Sequence, residues 1–202
     1  MKRHPEAVVG ASTHYGRAEL VTMSTDGKAA TLADKRRVEL ISPGLPEAPY
    51  HHEGLELPAA ETRILVAKVQ GSVTEYCRAA ISVLRDAYPV VAVVVPASPY
   101  ASLPDVDEVL ASYQLTCAAD GMMYRESFAS AAAEQGLDVI RTPRGADEVS
   151  MAATALERSV EETSAFLKDL GRRAGPPWRA EHKKAAAAAL SVLATRAEIS
   201  LG

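Results

Sequence analysis

At 202 residues the chain is long enough to fill one hydrophobic core and short for two. An apolar share of 48% with 24% charged residues excludes a disordered chain, and a formal charge of −4 excludes a protein that coats nucleic acid by bulk charge, leaving room only for a local basic site. No run approaches the length that crosses a bilayer, and the apolar part of the opening MKRHPEAVVGAS is too short for a signal peptide, so a cytoplasmic protein without a membrane partner is expected.

The first forty residues read as strands: the apolar run Ala7–Ala11, the alternating RAELVTMS of Arg17–Ser24 and the RVELI of Arg37–Ile41. An Asp-Gly turn is expected in Thr25–Lys28, and a second, ill-defined turn near Ala33 and Asp34. Four prolines between Ser42 and Pro58 mark a loop. Apolar residues from Leu65 to Leu84 at intervals of three and four predict a long core-facing helix over Ala59–Ala87. The β-branched run Val90–Pro96 predicts a strand buried on both faces and parallel to its neighbour. Helices are then expected at Asp105–Ser112 and Asp120–Gln135, a strand at Leu137–Thr142, and helices at Val149–Leu170 and Arg179–Thr195. Two cysteines, Cys77 and Cys117, lack metal-ligand spacing and read as buried free thiols of a reducing compartment.

This order, three strands, helix, strand, helix, strand and closing helices, resembles the ribonuclease H-like fold. That fold is shared by ribonuclease H, the Holliday-junction resolvases, transposase cores and, in duplicated form, the actin-like ATPases. The chain also looks like a group of bacterial proteins that share its Gly10–Leu20 start, GASTHYGRAEL, and its Tyr50–Glu53 loop, YHHE, a group whose name carries no activity. The resemblance implies one α/β domain over 1–202, with 145–202 as its C-terminal helical part. It implies a mixed five-stranded sheet, three antiparallel strands then two parallel, with flanking helices. In the superfamily's nucleases it also implies two divalent metals, Mg²⁺ or Mn²⁺, held by carboxylates from the first strand, from the end of the fourth strand or the first helix, and from a late helix. The chain departs from that pattern: no Asp or Glu lies between Ala7 and Gly16, and Val90–Pro99 ends without an acid.

Four constellations remain. Glu181 and His182 open the last helix, where resolvase-like enzymes carry an acid or a histidine; they serve either a site or a solvated helix start, with Asp120 and Glu19 as further candidate catalytic residues. In YHHEG, His52 and Glu53 are candidate metal ligands beside Asp120, Glu181 and His182, against a polar loop whose histidines cap backbone groups. In ADGMMYRES, Asp120 reads as a helix cap or joins Tyr124 and Arg125 in addressing a phosphate or metal. In GASTHYGR, Ser12, Thr13 and Arg17 resemble the phosphate loop of actin-like ATPases, against a simple tight turn. Two functions follow: a metal-dependent nuclease or phosphoryl-transfer enzyme on nucleic acid with an atypical site, or a non-catalytic binding or assembly module. A homodimer is expected, with the apolar edge Leu156, Val160, Phe166, Leu167 and Leu170 available to it.

Overall fold

Alternation along the N-terminal third does produce three antiparallel strands, each longer than its apolar segment. In this computed structural model, which describes residues 5–25, 29–197 and 200–201, they are β1 (Glu6–His14), β2 (Arg17–Thr25) and β3 (Ala29–Glu39). Residues 26–28 of the expected Asp-Gly turn lie outside the described residues. The turn expected near Ala33 is instead a bulge: Thr22 pairs with Asp34 and Met23 with Leu32, so Ala33 has no partner and β3 runs on through it.

The later elements are α1 (Glu53–Glu56), α2 (Ala59–Ala87), β4 (Val90–Pro96), α3 (Val106–Leu110), α4 (Tyr113–Glu134), β5 (Asp138–Thr142), α5 (Glu148–Ala155), α6 (Val160–Ala174), α7 (Ala180–Arg196) and the short β6 (Ser200–Leu201). Strand order is β5-β4-β1-β2-β3-β6. The expected mixed sheet is present, with β1, β4 and β5 parallel; β6 adds a short parallel pairing to Ala29 and Ala30 at the β3 edge.

Pleating sends successive side chains of β1 to opposite layers. Val9 and Ala11 pack with Leu20 of β2 against α2 and α4, through Val69, Val73, Tyr124 and Phe128. Val8 packs with Val21 and Met23 against α6 and α7, through Leu167, Leu170 and the alanines 185–189. The last helix comes so close that a Cβ on Gly10 would collide with the Ala185 carbonyl. Glycine facing alanine is what lets helix and strand meet at that distance.

Three expectations give way. Helix α4 begins at Tyr113, with the Ser112 side chain accepting the Leu115 amide, so Asp120 lies inside the helix and does not cap it. The helix expected over Val149–Leu170 is two helices: the chain turns at Glu157, whose φ is 54°, and restarts where Ser159 and Glu162 form a capping box. That break folds Leu156, Phe166, Leu167 and Leu170 into the core, leaving of the edge assigned to a dimer only Val160 exposed.

Candidate functional site

The corner before α7 is built to hold two side chains. Lys35 Nζ donates to the carbonyls of Gly175 at 2.8 Å and Pro177 at 2.9 Å. The Trp178 ring fills the space left by Gly171 and stacks on His182, with centroids 6.0 Å apart. His182 is 3% exposed; its Nδ1 accepts the Arg179 N–H at 3.2 Å, so Nε2 carries the proton and donates to Glu19 Oε2 at 3.3 Å. This pair joins the start of α7 to β2. Glu181 is half-buried beside it, and its own backbone N–H, with help from His14, Arg179 and His182, holds its carboxyl below the usual range against the effect of burial. His14 is pushed below its ordinary value by burial and by Arg17, with Glu181 and Glu19 opposing.

Asp120 belongs to the other layer. It is fully buried and accepts the backbone N–H groups of Tyr50 at 3.1 Å and His51 at 3.0 Å, tying the proline-rich loop to α4. Burial pushes its pKa up to about 6, outweighing both hydrogen bonds and the nearby His52. The structure thus brings Glu19, Glu181 and His182 together on the α7 side and leaves Asp120, with His52 and Glu53, on the α4 side. The expected ligand set does not converge, and among the described residues no group of three or more His, Cys, Asp or Glu is arranged to hold a metal ion. His52 and Glu53 are exposed. His51, which sequence reasoning left aside, stacks on His52 at 4.7 Å, meets the Tyr113 ring edge-on at 5.0 Å and places Nδ1 3.3 Å from Cys117 Sγ. Cys117 is only half-buried, contrary to expectation, whereas burial pushes the thiol of Cys77 up to about 12.

Beyond the carboxyl ends of β1 and β4 lies a cavity of about 590 Å³. Thr13, His14, Tyr15 and Arg17 reach it from the β1–β2 hairpin, Cys117 and Arg125 from α4, and Arg144 from the segment after β5; Glu47 is its single carboxylate. Among the described residues Arg17, Arg125 and Arg144 make no ion pair. Arg125 is half-buried, its Nε is buried without a hydrogen-bond partner, and its Nη1 reaches only Ser98 Oγ at 3.5 Å. The neighbouring acid in the chain, Glu126, is held by Arg141 at 2.6 Å and by the Ser98 hydroxyl. Burial, Arg141 and Arg144 therefore lower the Arg125 pKa, against Glu126. An uncompensated guanidinium in a polar cavity is a receptor for an anion.

Ser12 is absent from this cavity. Residues 10–14 are strand, and the turn is Tyr15-Gly16 alone, with Gly16 at φ 74°, so no phosphate loop forms there. Ser12 instead lines a crevice of about 220 Å³ between the ends of β1 and β4 and the start of α7. The resemblance draws its metal-binding carboxylates from these same elements, a first strand, the end of the fourth and a late helix. The crevice holds Ser12 and Ala11 from β1, Val95 and Pro96 from β4, Lys184 and Ala185 from α7, and one acid, Glu148. An ammonium group beside a single carboxylate does not fit two divalent cations, which need several oxygen donors and no positive neighbour.

No family model and no curated sequence matches the chain. Two solved structures of Thermus thermophilus RuvC are similar to it, one of them in complex with a Holliday junction substrate. Both give a TM-score of 0.52 at 18% identity, covering 95% of each chain for the complex, and 94% of this chain and 95% of the other for the second. The likeness covers nearly the whole chain and shows that its fold is that of these structures, a ribonuclease H-like α/β fold.

Proposed function

We propose that this ribonuclease H-like chain is a nucleic-acid-binding module that grips strand phosphates in the cavity at the carboxyl ends of β1 and β4 and does not cleave by the two-metal route. The observation that carries this reading is the set of three arginines, 17, 125 and 144, facing one cavity without a carboxylate partner. The ligand type follows from one of the two similar structures, which holds a Holliday junction substrate. The residues of the α7 crevice weigh against a metal-dependent nuclease: Lys184 places a fixed positive charge where metal ligands would stand, and Glu19 is engaged with His182. Thr13 and Arg17, read in the sequence as part of a phosphate loop, and Arg125, read beside a helix start, all line this cavity, and the proposal gives them the phosphate contacts.

Fluorescence anisotropy with a labelled single strand and a four-way junction, over a range of salt, tests the proposal. Three arginines on phosphates predict a log–log slope near ~−2 for a single strand, and Arg125→Ala should weaken binding about tenfold and flatten the slope by ~0.7. Absence of binding to both ligands at low salt, or an Arg125→Ala variant that binds as the parent does, overturns it. Cleavage of either ligand in Mg²⁺ or Mn²⁺ that is lost in Glu181→Ala would restore the nuclease reading.

A further inference from the structure

Two nucleophile-bearing features remain outside the phosphate contacts: the half-buried thiol of Cys117 and the imidazole of His51, which no bond in the proposed function uses. They come from parts of the chain 66 residues apart and meet with Sγ 3.3 Å from Nδ1 and 3.9 Å from Nε2. The meeting is held from both sides. Asp120 fixes His51 by its backbone amide, while His52 stacks on the ring and Tyr113 meets it at a right angle. Tyr15 donates its hydroxyl to the Cys117 carbonyl at 3.1 Å, which locks the hairpin against α4 beside the thiol. Cys117 also lines the cationic cavity, together with Arg17, Arg125 and Arg144.

We infer that Cys117 and His51 form a thiol–imidazole pair that makes Cys117 a covalent modification site for small carbon electrophiles bearing a carboxylate or phosphate. On attack the thiol proton passes to the His51 imidazole, the base that lies against the sulfur. Sulfur then forms a bond to the electrophilic carbon, and the leaving group departs with the electrons of the bond it gives up. With an acyl phosphate the acyl group ends on sulfur as a thioester and phosphate is freed. His51 is the group that reaches the sulfur; His52 and Tyr113 lie against its ring, Asp120 holds its backbone amide, and Tyr15 bonds the Cys117 carbonyl. Preference for anionic reagents comes from Arg17, Arg125 and Arg144 and so rests on the cationic-cavity reading; the reactivity of the thiol itself does not.

The chain's own second cysteine is the control, because Cys77 is fully buried with its thiol pushed up to about 12. The experiment follows labelling of the intact protein at neutral pH by iodoacetate and by neutral iodoacetamide, using peptide mass spectrometry to give a rate for each cysteine. In each case sulfur displaces iodide from carbon and His51 holds the proton. Cys117 should label at least about tenfold faster than Cys77 with both reagents, and its iodoacetate-to-iodoacetamide rate ratio should exceed that of free glutathione. His51→Gln, checked against His51→Ala and by thermal melt, should slow both reagents about tenfold. The double variant Arg125→Ala, Arg144→Ala should slow iodoacetate more than iodoacetamide. Unchanged iodoacetamide labelling in a folded His51 variant overturns the pair. A rate ratio unmoved by loss of the two arginines overturns the cationic-cavity reading and leaves the pair standing.

Discussion

Asp120 shows how one buried carboxyl makes a stability profile. Its folded pKa of about 6 stands above the ordinary 3.8, so between those values the folded protein holds a proton that the unfolded chain has already released. Stability from this group is complete below the lower value and is lost as pH rises through the higher one, by about 3 kcal/mol in all. Urea unfolding from about pH 4 to about pH 7 should show this decline on top of the other titrations, and Asp120→Asn should remove it while weakening the acceptor for one of the two loop amides. His182 makes a different case. Replacing it by alanine deletes the acceptor at the start of α7, the donor to Glu19 and the partner of Trp178, and should cost about 2 to 4 kcal/mol. Glu19→Gln keeps an oxygen for the same Nε2–H and should cost less than about 1 kcal/mol, so denaturant midpoints should rank parent, Glu19→Gln, His182→Ala. A reversed order would mean that charge, and not the hydrogen bond, holds the corner.

Among the elements, β1 and α7 are the pair with least tolerance. Gly10→Ala puts a methyl group against the Ala185 carbonyl and should destabilise by about 3 kcal/mol or more. Adding Ala185→Gly should give no rescue, because the obstacle is backbone; a thermal melt of the double variant checks this. Gly71, exposed within α2 and with nothing near its missing Cβ, is the opposite case, and Gly71→Ala should stabilise by about 0.5 to 1 kcal/mol. Legibility followed the same division. Helix α2 and strand β4 were readable to the residue, since their apolar periods are long and bounded by Pro58, Tyr88-Pro89 and Pro96. The N-terminus of α4 was not: Ser112 was the available cap signal, but Asp120-Gly121 imitated a later start. Position alone also misplaced Asp120, whose amide partners lie 69 and 70 residues away across the fold. The Cys117–His51 meeting had no local signal at all, because no spacing rule joins a loop to a helix through tertiary packing.

At the scale of the whole molecule, the order of elements was enough to reach the fold, while the chemistry depended on which side chains face the ends of the parallel strands. Those ends carry arginines, a lysine and small residues in place of clustered acids. The chain should therefore respond to anions and not to hard cations. Its melting midpoint in Mg²⁺ or Mn²⁺ should match that in EDTA, while an oligonucleotide should raise it by mass action, since ligand at a hundredfold excess over its Kd adds about 2.7 kcal/mol of stability. A Mn²⁺-dependent rise abolished by Glu181→Ala would contradict this.

The two margins of the sheet have a bearing on how the protein behaves in company. On one margin β5 turns Asp138 and Arg141 outward. On the other, β6 covers β3 only at Ala29 and Ala30, and the uncovered length carries the bulge at Ala33 and then Asp34, Lys35, Arg36, Arg37 and Glu39. A foreign strand seeking to extend the sheet would have to strip water from the exposed Arg37 and Glu39 and follow a kinked backbone. Charge at both margins, with the bulge on the β3 side, thus works against extension of the sheet by strand addition.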